Sequence, residues 1–336
     1  MLKRSIAFLT CLMLLFPSSG YSWGNKGHQT VGRIAQLFLQ DDNAQTTLDK
    51  IQAILKPGES LATIATWADT VKFVHFGPDV VVSDKDTQAF RRDLRNKNNR
   101  VWHFDDLPLD CLSYDACDVN PIKFTTPTDI VHMINTSIGA LRATSSPARF
   151  SKRNALRLIA HLVGDLQQPL HVGSGYIDAE GTEDSIVIAR SPQDIKAHDF
   201  PSDHGANHLL INGIADQDLH FHWDSDLVDL AANGASVNMF ASTLKSSIAV
   251  DTNWNAQGQF LTWAKQWASD TVKQSADHAY SMVSITAALA DDLEADTTKF
   301  AITLGNGYDN ANRDVVETQL VKAGYRLAKL LEAILN

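Results

Sequence analysis

Cysteine is scarce in this 336-residue chain: there are three, and Cys11 lies inside an apolar stretch near the start. Cys111 and Cys117 remain, six residues apart. That spacing suits a small loop disulfide in an oxidising compartment better than a catalytic thiol. Positive charge is also short, with 29 Lys and Arg against 39 Asp and Glu and a formal net charge of −10. Such a balance excludes a broad basic face that grips duplex DNA. Long apolar runs are missing apart from residues 6–16, which are too few for a comfortable membrane span. Internal repeats, heptad arrays and low-complexity linkers are absent too, so one domain is the economical organisation.

The first segment reads as a targeting signal. Lys3 and Arg4 precede the apolar run, and Pro17-Ser-Ser-Gly-Tyr-Ser22 is small and polar enough for cleavage. Residues 1–22 are therefore expected to be a signal peptide, and residues 23–336 a single domain that is secreted or periplasmic. Cleavage after Ser22 would make Trp23 the first mature residue. It would also remove Lys3 and Arg4, taking the formal charge from −10 to −12.

Apolar residues at helical spacing run through residues 31–39, 51–55, 130–141, 156–166 and 227–230, and again through 260–272, 282–293 and 315–335. Asn43 and Thr128 are candidate helix starts, and Gly305-Asn306-Gly307 marks a break before the last helix. The fold expected is all-α, a compact multi-helix domain. Residues 173–207 are the exception. Their glycines, prolines and acids, with one β-branched run at 186–188, predict a long surface loop or small hairpin overhanging whatever site the helices build.

The chemistry concentrates in His161-Leu-Val-Gly-Asp165-Leu-Gln-Gln-Pro169-Leu-His171. His161 and Asp165 are four apart, so on a helix they share a face. Pro169 should end that helix and swing His171 toward a neighbouring centre. His220 and Asp224 repeat the four-residue spacing. Imidazole and carboxylate together suit zinc, and two such pairs point to a multi-metal hydrolytic site. Further ligand types stand in Trp23-Gly-Asn-Lys-Gly-His28, in Trp67-Ala-Asp69 and in Val101-Trp-His103-Phe-Asp105-Asp106.

These elements, in this order, resemble the secreted trizinc single-strand-specific nucleases and 3′-nucleotidases of fungi and plants, within the phospholipase C-like superfamily. The resemblance implies nine metal-ligating residues and three zinc ions per chain. Asp69, His103, His161 and Asp165 would hold one zinc. Trp23, through its α-amino nitrogen and carbonyl oxygen, would join His28 and the shared Asp165 on a second. His171, His220 and Asp224 would hold the third.

The implied reaction is hydrolysis of single-stranded DNA, RNA and 3′-nucleotides at the P–O3′ bond by a hydroxide shared between two zincs, leaving 5′-phosphates. Asp106 is the candidate for orienting the nucleophile, and Lys72 stands where the family has a phosphate-binding arginine. Phe104 is the candidate for stacking a base. Asn207 belongs to Asp203-His-Gly205-Ala206-Asn207, which resembles an Asp-x-Gly-Gly-Asn segment near the base pocket, with Ala206 in place of the second glycine. No protein partner is implied, and the expected state is a monomer. The alternative within the superfamily is a zinc phospholipase C. The five-residue step from Trp23 to His28, and Asp rather than Glu at 224, fit it less well.

Overall fold

The computed structural model describes residues 23–118, 123–144, 149–178, 186–289 and 298–336; the signal-peptide assignment for residues 1–22 lies outside them. The described chain is mainly helical. Helices α1 (Asn25–Asp41), α2 (Gln45–Ile54), α3 (Leu61–Ile64), α4 (Trp67–Thr70) and α5 (Lys85–Arg92) lead into α6 (Ile130–Arg142) and α7 (Lys152–Asp165). After them come α8 (Pro192–His198), α9 (Leu219–Phe221), α10 (Leu227–Ala232), α11 (Val237–Ser247), α12 (Trp263–Gln274) and α13 (Tyr308–Leu335). Among the described residues no helix is long and apolar enough to cross a membrane.

Helix α1 packs on α13 as well as on α3 and α11. The α1–α13 crossing is close enough that a Cβ on Gly324 would stand 2.4 Å from Ile34 Cγ2. Only glycine lets the two backbones approach so far. Helix α7 is buried from Arg153 to Asp165 and packs on α6. It is capped by Ser151, which accepts from the Asn154 amide. The cap of α6 is Asp129, accepting from the His132 amide, and not Thr128 one residue earlier. Asn43 likewise caps nothing. It takes a left-handed turn (φ 52°) between α1 and α2, and Ala44 holds the cap position. The expected break at 305–307 is present, with Gly307 left-handed (φ 82°) ahead of α13.

The strands are short. β1 (Leu107–Pro108) runs parallel to β2 (Gly173–Ser174), and β3 (Tyr176–Asp178) pairs antiparallel with β4 (Val187–Ala189). β5 (Leu209–Ile211), β7 (Lys299–Leu304) and β6 (Val283–Leu289) make a sheet in the order β5-β7-β6. Strand β6 corrects the helix expected over residues 282–293. A short apolar run satisfies helical and strand spacing alike, and here β7 supplies the pairing that decides it. Residues 290–293 lie outside the described residues.

Part of the 173–207 expectation also changes. The segment does contain the β3–β4 hairpin, but it includes α8 as well. Gly173 to Ile177 and Asp203, Gly205 and Ala206 are buried rather than on the surface. Cys111 and Cys117 form the expected disulfide, with Cα atoms 5.2 Å apart.

Candidate metal centre

Helix α7 is the spine of the centre. Near its start Arg153 pairs with Glu59, Asp84 and Asp86, while Arg157 pairs with Glu59 and Asp84. The Arg157 guanidinium also lies over the Trp67 ring, 5.0 Å from its centroid. Trp67 opens α4, so the same contact seats Asp69, two residues on, against the far half of α7. That half carries His161 and Asp165 on one face, as their spacing dictates. The backbone then leaves the helix, and Pro169–His171 form a 3-10 turn that aims His171 at a second cluster.

Three groups of buried side chains offer ligand atoms within 4.8 Å of one another: His28, His161 and Asp165; Asp69, His103 and His161; and His171, His220 and Asp224. The first two groups share His161. Asp165 links them further, with Oδ2 3.0 Å from both His103 Nδ1 and His161 Nε2, and Oδ1 3.1 Å from His28 Nε2. Asp69 completes this half at 3.6 Å from His161 Nε2. In the third group His220 Nε2 lies 3.1 Å from His171 Nε2 and 3.3 Å from Asp224 Oδ2. Asp224 projects from a π-helical turn, residues 222–226, that continues α9. Such a turn is a frequent mark of a functional position.

Backbone carbonyls set the histidine rings. His161 Nδ1 donates to Ala65 O at 2.6 Å, His171 Nδ1 to His103 O at 2.7 Å and His220 Nδ1 to Gly205 O at 2.7 Å. A carbonyl only accepts, so each Nδ1 carries a proton and each Nε2 faces inward, where it can hold a second proton or a metal. Burial pulls His103 down to about 3 and His171 down to about 4, so both rings are neutral. Burial also lowers His220, but the carboxylates of Asp224 and Asp218 outweigh it and carry that ring up to about 9. Burial opposes ionisation of Asp165, yet the surrounding histidines hold it well below the usual carboxylate range.

Two buried carboxylate oxygens, Asp165 Oδ1 and Asp224 Oδ2, face the Nε2 atoms of His28 and His220 at 3.1 and 3.3 Å. Inward lone pairs facing such oxygens are costly unless a proton or cation lies among them. Neutral imidazoles with carboxylates are a donor set that holds a divalent metal. The residues therefore fit metal ions at all three groups.

Trp23 is fully buried, and its indole donates to Gly164 O at 2.9 Å, one residue before Asp165. The Gly24 amide donates to Asp224 O at 2.8 Å. Trp23 and Gly24 are thus pinned between the first groups and the third. Lys72 is buried, its ammonium 2.9 Å from Asp69 Oδ1. Asp106 is half-buried and accepts from the Ser174 hydroxyl at 2.6 Å. Burial pushes its carboxyl up, with the Ser174 bond and the nearby His204 and His220 opposing. Phe104 is half-buried in extended backbone. The Asn207 side chain is committed locally, donating to His204 O at 2.6 Å.

Sequence reasoning passed over several residues that matter here. Gln168, wholly buried, donates to Asp224 Oδ1 at 2.7 Å. It stands inside the His161–His171 motif, where a buried amide among ligands is itself a signal. Ser174 and Tyr280 carried no such signal. Asp203 accepts from the Gly175 and Ala206 amides and from the Tyr280 hydroxyl. It thereby fixes His204, Gly205 and Ala206 in consecutive left-handed conformations (φ 56°, 60° and 66°). His222, beside the third group, instead bridges Asp226 and Asp309.

The S1/P1 nuclease family model matches residues 23–336, beginning at Trp23. Nuclease S1 of Aspergillus oryzae is 26% identical over 94% of this chain and 92% of its own length. Endonuclease 2 of Arabidopsis thaliana is 24% identical over 97% and 95%. Nuclease P1 of Penicillium citrinum is 23% identical over 93% and 97%.

Proposed function

This chain belongs to the S1/P1 nuclease family, and we propose that it is a secreted, zinc-dependent hydrolase of single-stranded DNA, RNA and 3′-nucleotides. It cleaves the P–O3′ bond and releases 5′-phosphates. The observation that carries this reading is the convergence of inward-facing imidazole nitrogens on the buried carboxylates of Asp69, Asp165 and Asp224. Three zincs fit the donors: Asp69, His103, His161 and Asp165 for one; Trp23, His28 and Asp165 for another; His171, His220 and Asp224 for the third. When bound, zinc supplies Lewis acidity for activating water and positive charge for the departing 3′-oxygen.

The chain's own residues do the rest. Asp106, half-buried beside the third group, accepts a proton from the attacking water and orients it. Lys72, held by Asp69, presents a cation to the phosphate, a point charge in place of a guanidinium fork. Phe104 stacks an unpaired base, which a duplex cannot offer without unstacking. Asn207, carried on the 203–207 turn, is the second candidate contact to the base.

Trp23 gives the leader a chemical role. Its α-amino group binds metal only when residues 1–22 are gone, and its ordinary pKa of about 8 lets zinc displace the proton. The family match starting at Trp23 supports this maturation point. A chain with one extra residue before Trp23 is expected to lose nearly all turnover and part of its zinc, measured by metal analysis beside the activity assay. A tagged chain with full zinc and full activity would refute the role.

The test of the function itself uses protein beginning at Trp23, given a single-stranded oligonucleotide with and without a zinc chelator. Chelator-sensitive release of 5′-mononucleotides supports the reading. Absence of turnover by zinc-loaded protein defeats it, and phosphatidylcholine is then the next substrate to assay.

A further inference from the structure

Ser174 joins two parts of the centre that no ligand set connects. It is fully buried and lies on β2, where its backbone pairs with Pro108 of β1, two residues after Asp106. Its hydroxyl donates to Asp106 Oδ1 at 2.6 Å and accepts from the Gly205 amide at 2.9 Å. The Gly205 carbonyl in turn accepts from His220 Nδ1 at 2.7 Å. One peptide unit further into the turn, Asp203 takes the Ala206 amide, and Tyr280 holds Asp203.

Every link in this chain is fixed from more than one side. The Asp106 carbonyl accepts from the Tyr176 hydroxyl at 2.7 Å, so the residue's backbone is anchored while Ser174 aims its carboxylate. Gly205 sits at φ 60°, where a Cβ would stand 2.2 Å from Leu170 O. The turn therefore cannot slide to follow a displaced Asp106. The one hydrogen of the Ser174 hydroxyl goes to Asp106 and a lone pair takes the Gly205 amide, so a single hydroxyl holds both groups.

We propose that Ser174 is a positioning residue: it acts through Asp106 and registers that carboxylate against the His171–His220–Asp224 group by way of Gly205. The inference rests on the phosphodiesterase reading above. Removing the hydroxyl should leave Asp106 free to rotate and so slow turnover while leaving substrate affinity and zinc binding in place. Loss of such an orienting partner typically costs about 10- to 100-fold in activity.

The experiment is a double-mutant cycle on zinc-loaded protein beginning at Trp23, with Ser174→Ala, Asp106→Asn and the pair. For each variant kcat, KM, zinc content and Tm are measured on a short single-stranded oligonucleotide. The expected result is a fall in kcat for Ser174→Ala of about 10- to 100-fold, with KM and zinc content held. In the Asp106→Asn background the same change should cost nothing more.

A full additive loss in that background overturns the inference, as does an unchanged kcat in Ser174→Ala. Loss of zinc or a large drop in Tm also overturns it, because Ser174 would then be a structural part of the site. If Asp106→Asn has no measurable turnover, Ser174→Thr decides: recovery of kcat relative to Ser174→Ala supports the inference, and a threonine variant as slow as alanine opposes it. A wild-type protein that leaves the oligonucleotide intact defeats the phosphodiesterase reading instead, so the two failures are distinguishable.

Discussion

The two sides of the candidate metal centre are built by different means. His28, Asp69, His161 and Asp165 project from α1, α4 and α7, helices whose positions are set by burial and by the Arg153–Arg157 ion-pair network. The His171, His220 and Asp224 side rests on a 3-10 turn, a π-helical turn and the left-handed turn at 204–206. On the helical side the support comes from helix packing and from ion pairs set apart from the His and Asp cluster. On the other side the scaffold is itself a set of side-chain hydrogen bonds, centred on Asp203, Ser174 and Gln168. Equally buried candidate ligands thus differ in how far their support depends on single polar atoms.

The largest expected effect lies on the helical side. Asp165→Ala removes the carboxylate shared by His28, His103 and His161. It should abolish turnover and metal binding at both adjoining groups. Breaking a buried charged set of this kind costs about 3–5 kcal/mol of stability. Metal analysis and urea denaturation check both parts, and two retained metals would contradict it.

The next effect isolates the turn. Burial lifts the Asp203 carboxyl from 3.8 to about 7, against the hydrogen bonds from Ala206 and Tyr280. The folded state thus binds this proton more tightly than the unfolded chain, so the Asp203 contribution to stability is greatest below pH 3.8. It declines as pH rises toward 7, by roughly 1.4 kcal/mol per unit within that window. Asp203→Asn removes this decline, and the difference between the two pH–stability curves in metal-free protein measures it. Parallel curves from pH 4 to 8 would show that Asp203 carries no such linkage.

The third effect concerns proton release. With His220 raised to about 9 and His171 lowered to about 4, the metal-free group carries one proton on His220 at neutral pH. Metal must displace it, so zinc affinity should rise about tenfold per pH unit up to pH 9 at this group. Calorimetry in buffers of different ionisation enthalpy reads the proton directly, and binding without release at pH 7 would exclude the scheme. The smallest effect is at Ala206, buried at φ 66° where glycine is at ease. Ala206→Gly is expected to stabilise the fold by about 1 kcal/mol, visible as a higher urea midpoint. A lower midpoint would mean that the buried methyl matters more than the strain.

Residue type and local spacing were enough to bring out the helices and the ligand pairs. His161 with Asp165, and His220 with Asp224, follow from a repeat of 3.6 residues per turn. Pro169 ends α7 because its ring and missing amide hydrogen act on neighbours a few residues away. The single disulfide followed from two cysteines six residues apart. These are short-range consequences, and a linear reading holds all the physics they need.

Distance along the chain decided the rest. Residues 283–289 became a strand because β7 lies beside them, and β7 in turn pairs with β5, some ninety residues earlier. The ring orientations of His161, His171 and His220 depend on the carbonyls of Ala65, His103 and Gly205, which only folding brings near. Asp106, the second of two adjacent acids in an aromatic stretch, acquires its setting from Ser174 across 68 residues. Hydrogen bonds and strand pairing act over about 3–5 Å whatever the separation in sequence. The pairs His161–Asp165 and His220–Asp224 were therefore legible from their spacing, while the other members of the three groups, and the partners that aim them, were brought together by tertiary contact.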